Sequence, residues 1–173
     1  MMNFKPFSKK QLATLCWWGP ESPYRAKDAV ICDGAVRSGK SLCMFVSFVS
    51  WAGCSFQNAS FALCGRTASS VKRNILTPYL PVLKQLGFKV NYQVSYGKVI
   101  IELNGRANTF WIFGGKDEAS ASLIQGMTLS GVMFDEVALM PRSFVEQALA
   151  RCSVDGSKFW FNCNPSNPSH WFY

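Results

Sequence analysis

A chain of 173 residues in which 49% are apolar and 14% aromatic has side-chain volume for one packed core, which excludes a disordered chain. Its 18 Lys and Arg against 10 Asp and Glu leave a net charge of +8, which favours an anionic partner such as a nucleotide or a nucleic-acid backbone. The seven cysteines form no C-x-x-C pair and stand beside a single histidine, so a recognisable zinc pattern is excluded and they read as small buried residues of a reducing compartment.

The first 28 residues hold no apolar run of signal-peptide length. They supply Trp17, Trp18 and Tyr24 as candidates for an adenine slot, with core packing as the alternative. Ala29 to Cys32 reads as a buried strand, and "GAVRSGKS", Gly34 to Ser41, then leads into an apolar helix over 40–52. The run Leu42 to Phe56 is short for a bilayer and carries three serines and a glycine, so it reads as a helix buried inside a domain, with no membrane partner. Phe61 to Cys64 is a second buried strand, and the helical stretch after it should be broken or kinked by Pro78 and Pro81. "FKVNYQVSYGKVIIEL" reads as a hairpin turning at Tyr96 and Gly97, and Asn104 and Gly105 mark another turn before "ANTFWIFGG". Leu129 to Phe134 is a buried strand ending in two acids, a helix with Pro141 at its first turn follows, and "KFWFNCNP" is a last strand. Strands separated by helices imply right-handed crossovers, a mainly parallel sheet, and ligand chemistry at the carboxyl ends of the strands.

The spacing of "GAVRSGKS" is G-x-x-x-x-G-K-[ST] in a strand, loop, helix context. In the phosphate-cradle reading, backbone N–H groups of Gly34, Ala35, Val36, Arg37, Ser38, Gly39, Lys40 and Ser41 surround the phosphates of a nucleotide, helped by the helix dipole. Lys40 would place a charge on the β and γ phosphates and Ser41 would ligate Mg²⁺. The bland alternative is a glycine-rich helix start with a solvent-facing lysine. Asp135 would complete the metal site, and Glu136 would act as general base toward an attacking water; alone, Asp-Glu reads as an acid-decorated helix start, and its pairing with the phosphate loop is what favours catalysis. Asn162 and Asn164 would sense the γ-phosphate, or form Asn-Pro turns, and the repeated "NPSNPS" leaves both open. Arg37 is the favoured charge-stabilising finger among Arg37, Arg66, Arg142 and Arg151. Lys72, Arg73, Lys84 and Lys98 are candidates for a DNA-facing patch or for plain solvated charge.

Four segments together resemble the large subunit of the tailed-bacteriophage DNA-packaging terminase: "GAVRSGKS" with "SFVSWA", "CGRTASSVKRNI", "QGMTLSGVMFDEVALMP" and "ARCSVDGSKFWFNCNPSNPSHWFY". The resemblance implies an α/β P-loop NTPase of the additional-strand, catalytic-glutamate type: one ATPase domain over 1–173, with an adenine-side segment over 1–28. By position, Lys40 and Ser41 match Walker A, Asp135 and Glu136 match Walker B, and "NCNP" matches the segment coupling hydrolysis to DNA movement. ATP and Mg²⁺ are the implied cofactors. Double-stranded DNA, the portal of the procapsid, the terminase small subunit and further copies in a ring are the implied partners, in the cytoplasm of an infected bacterium. The family's nuclease acids have no counterpart before Tyr173, so an ATPase domain without nuclease activity is expected. Another P-loop DNA helicase or remodeller, and a nucleotide-binding assembly module with little turnover, are the competing readings.

Overall fold

The computed structural model describes residues 6–34, 38–164 and 169–172. Its chain order is α1 (Lys9–Cys16), β1 (Ala29–Asp33), α2 (Lys40–Ser55), β2 (Ser60–Gly65), α3 (Ala68–Val71), a π-type turn (Lys72–Leu76), α4 (Thr77–Gln85), β3 (Lys89–Gln93), β4 (Lys98–Leu103), β5 (Arg106–Gly114), β6 (Gly131–Phe134), α5 (Arg142–Ala150) and β7 (Lys158–Cys163). Short 3₁₀ segments cover Val94–Tyr96, Glu118–Ile124 and Val137–Leu139.

The strands form one sheet in the order β1-β7-β6-β2-β5-β4-β3. Pairs from β1 through β5 are parallel, whereas β5-β4 and β4-β3 are antiparallel. The parallel part is built from apolar runs because both faces are covered. On one face α2 and α4 pack with Phe45, Phe48, Trp51 and Leu83 against Phe61, Phe110 and Trp160. On the other, α5 and the segment before β6 contribute Ile124, Phe144, Val145 and Ala148 against Phe134 and Phe161. The hairpin β3-β4 extends the sheet with Lys89 paired to Glu102 at 2.7 Å across its register. β1 forms the opposite edge among the described strands, and Ile31 on it is 59% exposed.

Apolar side chains fill α2 on most sides, as befits a helix inside a core. Its buried polar groups are satisfied. Ser47 Oγ accepts from the indoles of Trp18 and Trp160, both at 3.2 Å. Asn108 Nδ2 donates to the carbonyls of Ala52 and Phe56, and Asn108 Oδ1 accepts from Ala59 N–H, which ties the end of α2 to β5.

Several expectations shift. The helix expected over 40–52 runs to Ser55, and the strand expected from Leu129 begins at Gly131, because Leu129 N–H donates to Arg151 O. Pro78 and Pro81 do not break their helix. Pro78 sits in the first turn of α4, where a missing N–H costs least, and the wide turn before it absorbs the spacing, with Thr77 N–H reaching back to Lys72 O. Trp17 is core rather than an adenine platform: it is 3% exposed and meets Trp160 edge-on at 5.0 Å. Trp18 is engaged with Ser47, and Tyr24 is exposed. Cys32, Cys43, Cys64 and Cys163 are buried as expected, but Cys16 and Cys54 lie exposed in the closing turns of α1 and α2. No helix of the described residues is long and apolar enough to cross a membrane.

Gly114 closes β5 against the start of α3, where an added Cβ would fall 2.7 Å from the Ala68 nitrogen and 2.8 Å from the Thr67 Cα. Backbone cannot yield as a flexible side chain does. Gly114→Ala is therefore expected to destabilise the fold by about 1–3 kcal/mol, read as a lower urea midpoint at unchanged m; an unaltered midpoint would contradict this packing.

Candidate functional site

The register brings the motifs to one end of the sheet. Cys32 lies opposite Asn162 and Asp33 opposite Cys163 in the β1-β7 pair, while Phe134 lies opposite Phe161 in the β6-β7 pair. The carboxyl ends of β1, β6 and β7 therefore meet, and a cleft of about 330 Å³ opens there. Ser38, Gly39, Lys40, Ser41, Asn74, Tyr79, Asp135, Glu136, Asn162 and Asn164 line it.

Each side chain arrives for a local reason. Gly39 caps α2 in the left-handed region, φ 81°, which lets the loop turn directly into the helix. Lys40, the first residue of α2, donates to Gly34 O and to Asn164 Oδ1, the latter at 2.8 Å. Next along the helix, Ser41 donates from Oγ to Asp135 Oδ1 at 3.4 Å. Asn162 on β7 bridges the two, its Nδ2 lying 3.1 Å from Ser41 Oγ and 2.7 Å from Asp135 Oδ1. Asp135 is 5% exposed, and its own N–H is held by Cys64 O at 2.8 Å. Ser41, Asn162 and Asn74 thus supply this buried carboxylate with hydrogen-bond donors.

Glu136 follows in a left-handed conformation, φ 57° and ψ 52°. That backbone is costly for a glutamate, and such strain concentrates at functional positions. Burial, reinforced by the Asp135 charge and opposed by Arg73, raises the Glu136 carboxyl above the ordinary carboxylate range.

Ser41 hydroxyl and Asp135 carboxylate are hard oxygen donors in mutual contact, and Asn162 Oδ1 beside them is buried without a partner among the described residues. That donor chemistry fits a small divalent cation. No group of three or more His, Cys, Asp or Glu among the described residues is arranged to hold a metal by itself, so the fit is of the kind in which nucleotide and water complete the shell.

A family model for the N-terminal part of terminase large subunits of the T4-like virus type matches residues 31–173. The chain belongs to that family. The large terminase of a thermophilic bacteriophage superposes with a TM-score of 0.93 at 52% identity, covering 97% of this chain and 41% of that one. The same bacteriophage protein in complex with ATP-gamma-S gives 0.90 at 49% identity, covering 96% and 40%. The ATPase domain of the Thermus phage P74-26 large terminase gives 0.64 at 19% identity, covering 95% and 66%, a likeness of fold. No curated protein sequence gave a match. The present chain thus spans about two fifths of the thermophilic bacteriophage terminase it matches at 52% identity, and its fold is that of the terminase P-loop domains.

In this terminase domain, Gly34, Ser38, Gly39, Lys40, Ser41, Asp135, Glu136, Asn162 and Asn164 of the expected set are brought to one end of the sheet. Ala35, Val36 and Arg37 lie outside the described residues. Three participants had not been singled out for the cleft. Asn74 and Tyr79 line it from the helical run after β2, and Gln11 Nε2 donates to Ser38 O at 3.0 Å. Gln11 carried a readable signal: with Ser8 it makes an S-x-x-Q capping box that starts α1 beside the loop. Asn74 and Tyr79 carried none, because no local pattern announces which side of a buried helix meets a strand end.

Proposed function

We propose that the cleft binds ATP with Mg²⁺ and hydrolyses it, and that this turnover powers movement of double-stranded viral DNA into a procapsid. The contact network joining Ser41, Asp135 and Asn162, with Glu136 next to it in a strained backbone, is the observation that carries the reading. Membership of the terminase family and the ATP-gamma-S complex of the thermophilic bacteriophage terminase support it.

Gly39 and the N-terminus of the 16-residue helix α2 would present backbone N–H groups to the phosphates. Lys40, held between Gly34 O and Asn164 Oδ1, carries its ammonium to the β and γ phosphates. Ser41 and Asp135 would hold Mg²⁺, which would supply positive charge to offset that of the phosphate oxygens. Glu136 accepts the proton of the attacking water, and its raised carboxyl pKa brings a carboxylate base nearer the working pH. Asn164 contacts Lys40 just past the end of β7, so it would register loss of the γ-phosphate. Arg37 is the charge-stabilising finger of this scheme. Duplex DNA, the portal protein, the terminase small subunit and a ring of identical subunits at the portal, in the host cytoplasm, are its partners and setting.

Calorimetric titration of ATP-gamma-S in Mg²⁺ provides the test. Lys40→Ala is expected to weaken binding at least ~10-fold through loss of a charge-assisted contact. Equal affinity for the wild type and Lys40→Ala would rule out the cradle.

A further inference from the structure

The helical run after β2 contains the wide turn Lys72–Leu76. A π-type turn admits one residue more than regular α-helical spacing and so swings a side chain off the expected stripe. Lys72 and Arg73 are exposed, Asn74 is half-buried, and Ile75 and Leu76 are buried. Asn74 thus sits at the boundary between surface and core, and it reaches the cleft.

Its amide has a partner on each side. Nδ2 donates to Asp135 Oδ2 at 3.4 Å, and Oδ1 accepts from Arg73 Nε at 3.3 Å. A guanidinium only donates and a carboxylate only accepts, so the two contacts fix which way the amide points. The other Asp135 oxygen, Oδ1, takes Asn162 and Ser41. Among the described residues, Asn74 is therefore the single donor to Oδ2. The terminal torsion of an aspartate is soft. A carboxylate gripped at one oxygen can rotate, whereas one gripped at both keeps its plane.

We propose that Asn74 is a positioning residue for Asp135, holding Oδ2 so that Oδ1 stays directed at Ser41 where the metal-bound nucleotide is to sit. This rests on the nucleotide reading of the cleft. It adds a residue from the helical run that follows the second strand, and it ties that helix to the acid through a single amide. Exposed Arg73 steadies the amide from outside.

The test is calorimetric binding of ATP-gamma-S to the full chain at graded Mg²⁺ and in EDTA. Asn74→Ala and the similarly sized Asn74→Leu both remove the donor. Each is expected to raise the Mg²⁺ concentration for half-maximal binding by about 10-fold, the lower end of what losing an outer partner of a metal ligand costs. Affinity in EDTA and the thermal midpoint should stay at wild-type values. Thr77→Ala, an exposed change on the same helix, should alter none of these. Unchanged Mg²⁺ dependence in both Asn74 variants would overturn the proposal, as would an equal loss with and without Mg²⁺, which marks a merely structural side chain. A wild-type chain that binds ATP-gamma-S under neither condition would instead bring down the nucleotide reading, and this inference with it.

Discussion

Glu136→Gln is expected to lower steady-state phosphate release by about 10²–10⁴-fold, the range attached to a lost general base, while ATP-gamma-S still binds. Glutamine keeps the size and the left-handed backbone of residue 136, φ 57°, so the strain is the same in both proteins and only the charge is removed. Stability should move the opposite way. The folded-state pKa of Glu136 is raised, by burial first and by Asp135 second. The folded protein therefore holds this proton more tightly than the unfolded chain, and stability falls as pH rises from the ordinary carboxylate value through the raised one. Above that window the wild type carries the full penalty and Glu136→Gln escapes it, giving a higher thermal midpoint. Below the reference value of 4.5 the group is protonated in both states, and the advantage disappears. Phosphate release with and without linear duplex DNA, together with melting curves at pH 4 and pH 7.5, checks both halves. Equal rates would remove Glu136 from the chemistry, and a midpoint difference independent of pH would remove the charge as its cause.

Trp160→Ala is expected to cost about 3–5 kcal/mol, a large share of the 5–15 kcal/mol that stabilises an ordinary domain. Trp160 is fully buried, and its ring lies 4.9 Å from Phe48 and 5.0 Å from both Trp17 and Trp51. Truncation leaves a cavity bounded by α1, α2 and β7, and it removes one of the two indole donors to buried Ser47. Because Asn162 lies two residues further along β7, relaxation of that strand should also weaken nucleotide binding. Trp160→Phe keeps most of the ring volume and should recover most of the loss. Urea unfolding followed by circular dichroism measures the effect. A cost below about 1 kcal/mol for the alanine variant would mean that the aromatic cluster closes over the gap.

The phosphate loop was legible because its signal is local: two glycines and a Lys-Ser pair between a short apolar strand and an apolar helix. The antiparallel insertion was equally legible from its alternation and from the turns at Gly97 and Gly105, both with positive φ. The acids after β6 were visible as the end of an apolar run. Their geometry was not: nothing in "FDEV" states that Glu136 takes a left-handed backbone, which follows from the chain turning sharply between β6 and the 3₁₀ segment Val137–Leu139. Of the break or kink expected at Pro78 and Pro81, the break is absent, and the irregularity takes the form of a wide turn ahead of Pro78. The rule assumes regular α-helical spacing, and the wide turn at Lys72–Leu76 removes that assumption.

The asparagines mark the same boundary. Both were candidates for γ-phosphate contact, yet Asn162 is engaged with Ser41 and Asp135 and Asn164 with Lys40. Asn162 lies in β7 and Asn164 just past its end, one full period of strand alternation apart, so periodicity does not separate them and their partners depend on what lies on each side of β7. Only the pairing of β7 between β1 and β6 decides that.

By itself the sequence determined the alternation of strands and helices, the phosphate loop and the acid pair, since periodicity, glycine spacing and apolar runs act over a few neighbouring residues. The tertiary structure alone decided the strand order, the burial of Trp17, the recruitment of Asn74 and the bond from Ser41 to Asp135. That bond joins residues 94 positions apart, and such contacts exist only once a parallel sheet has brought distant strand ends to one edge of the molecule.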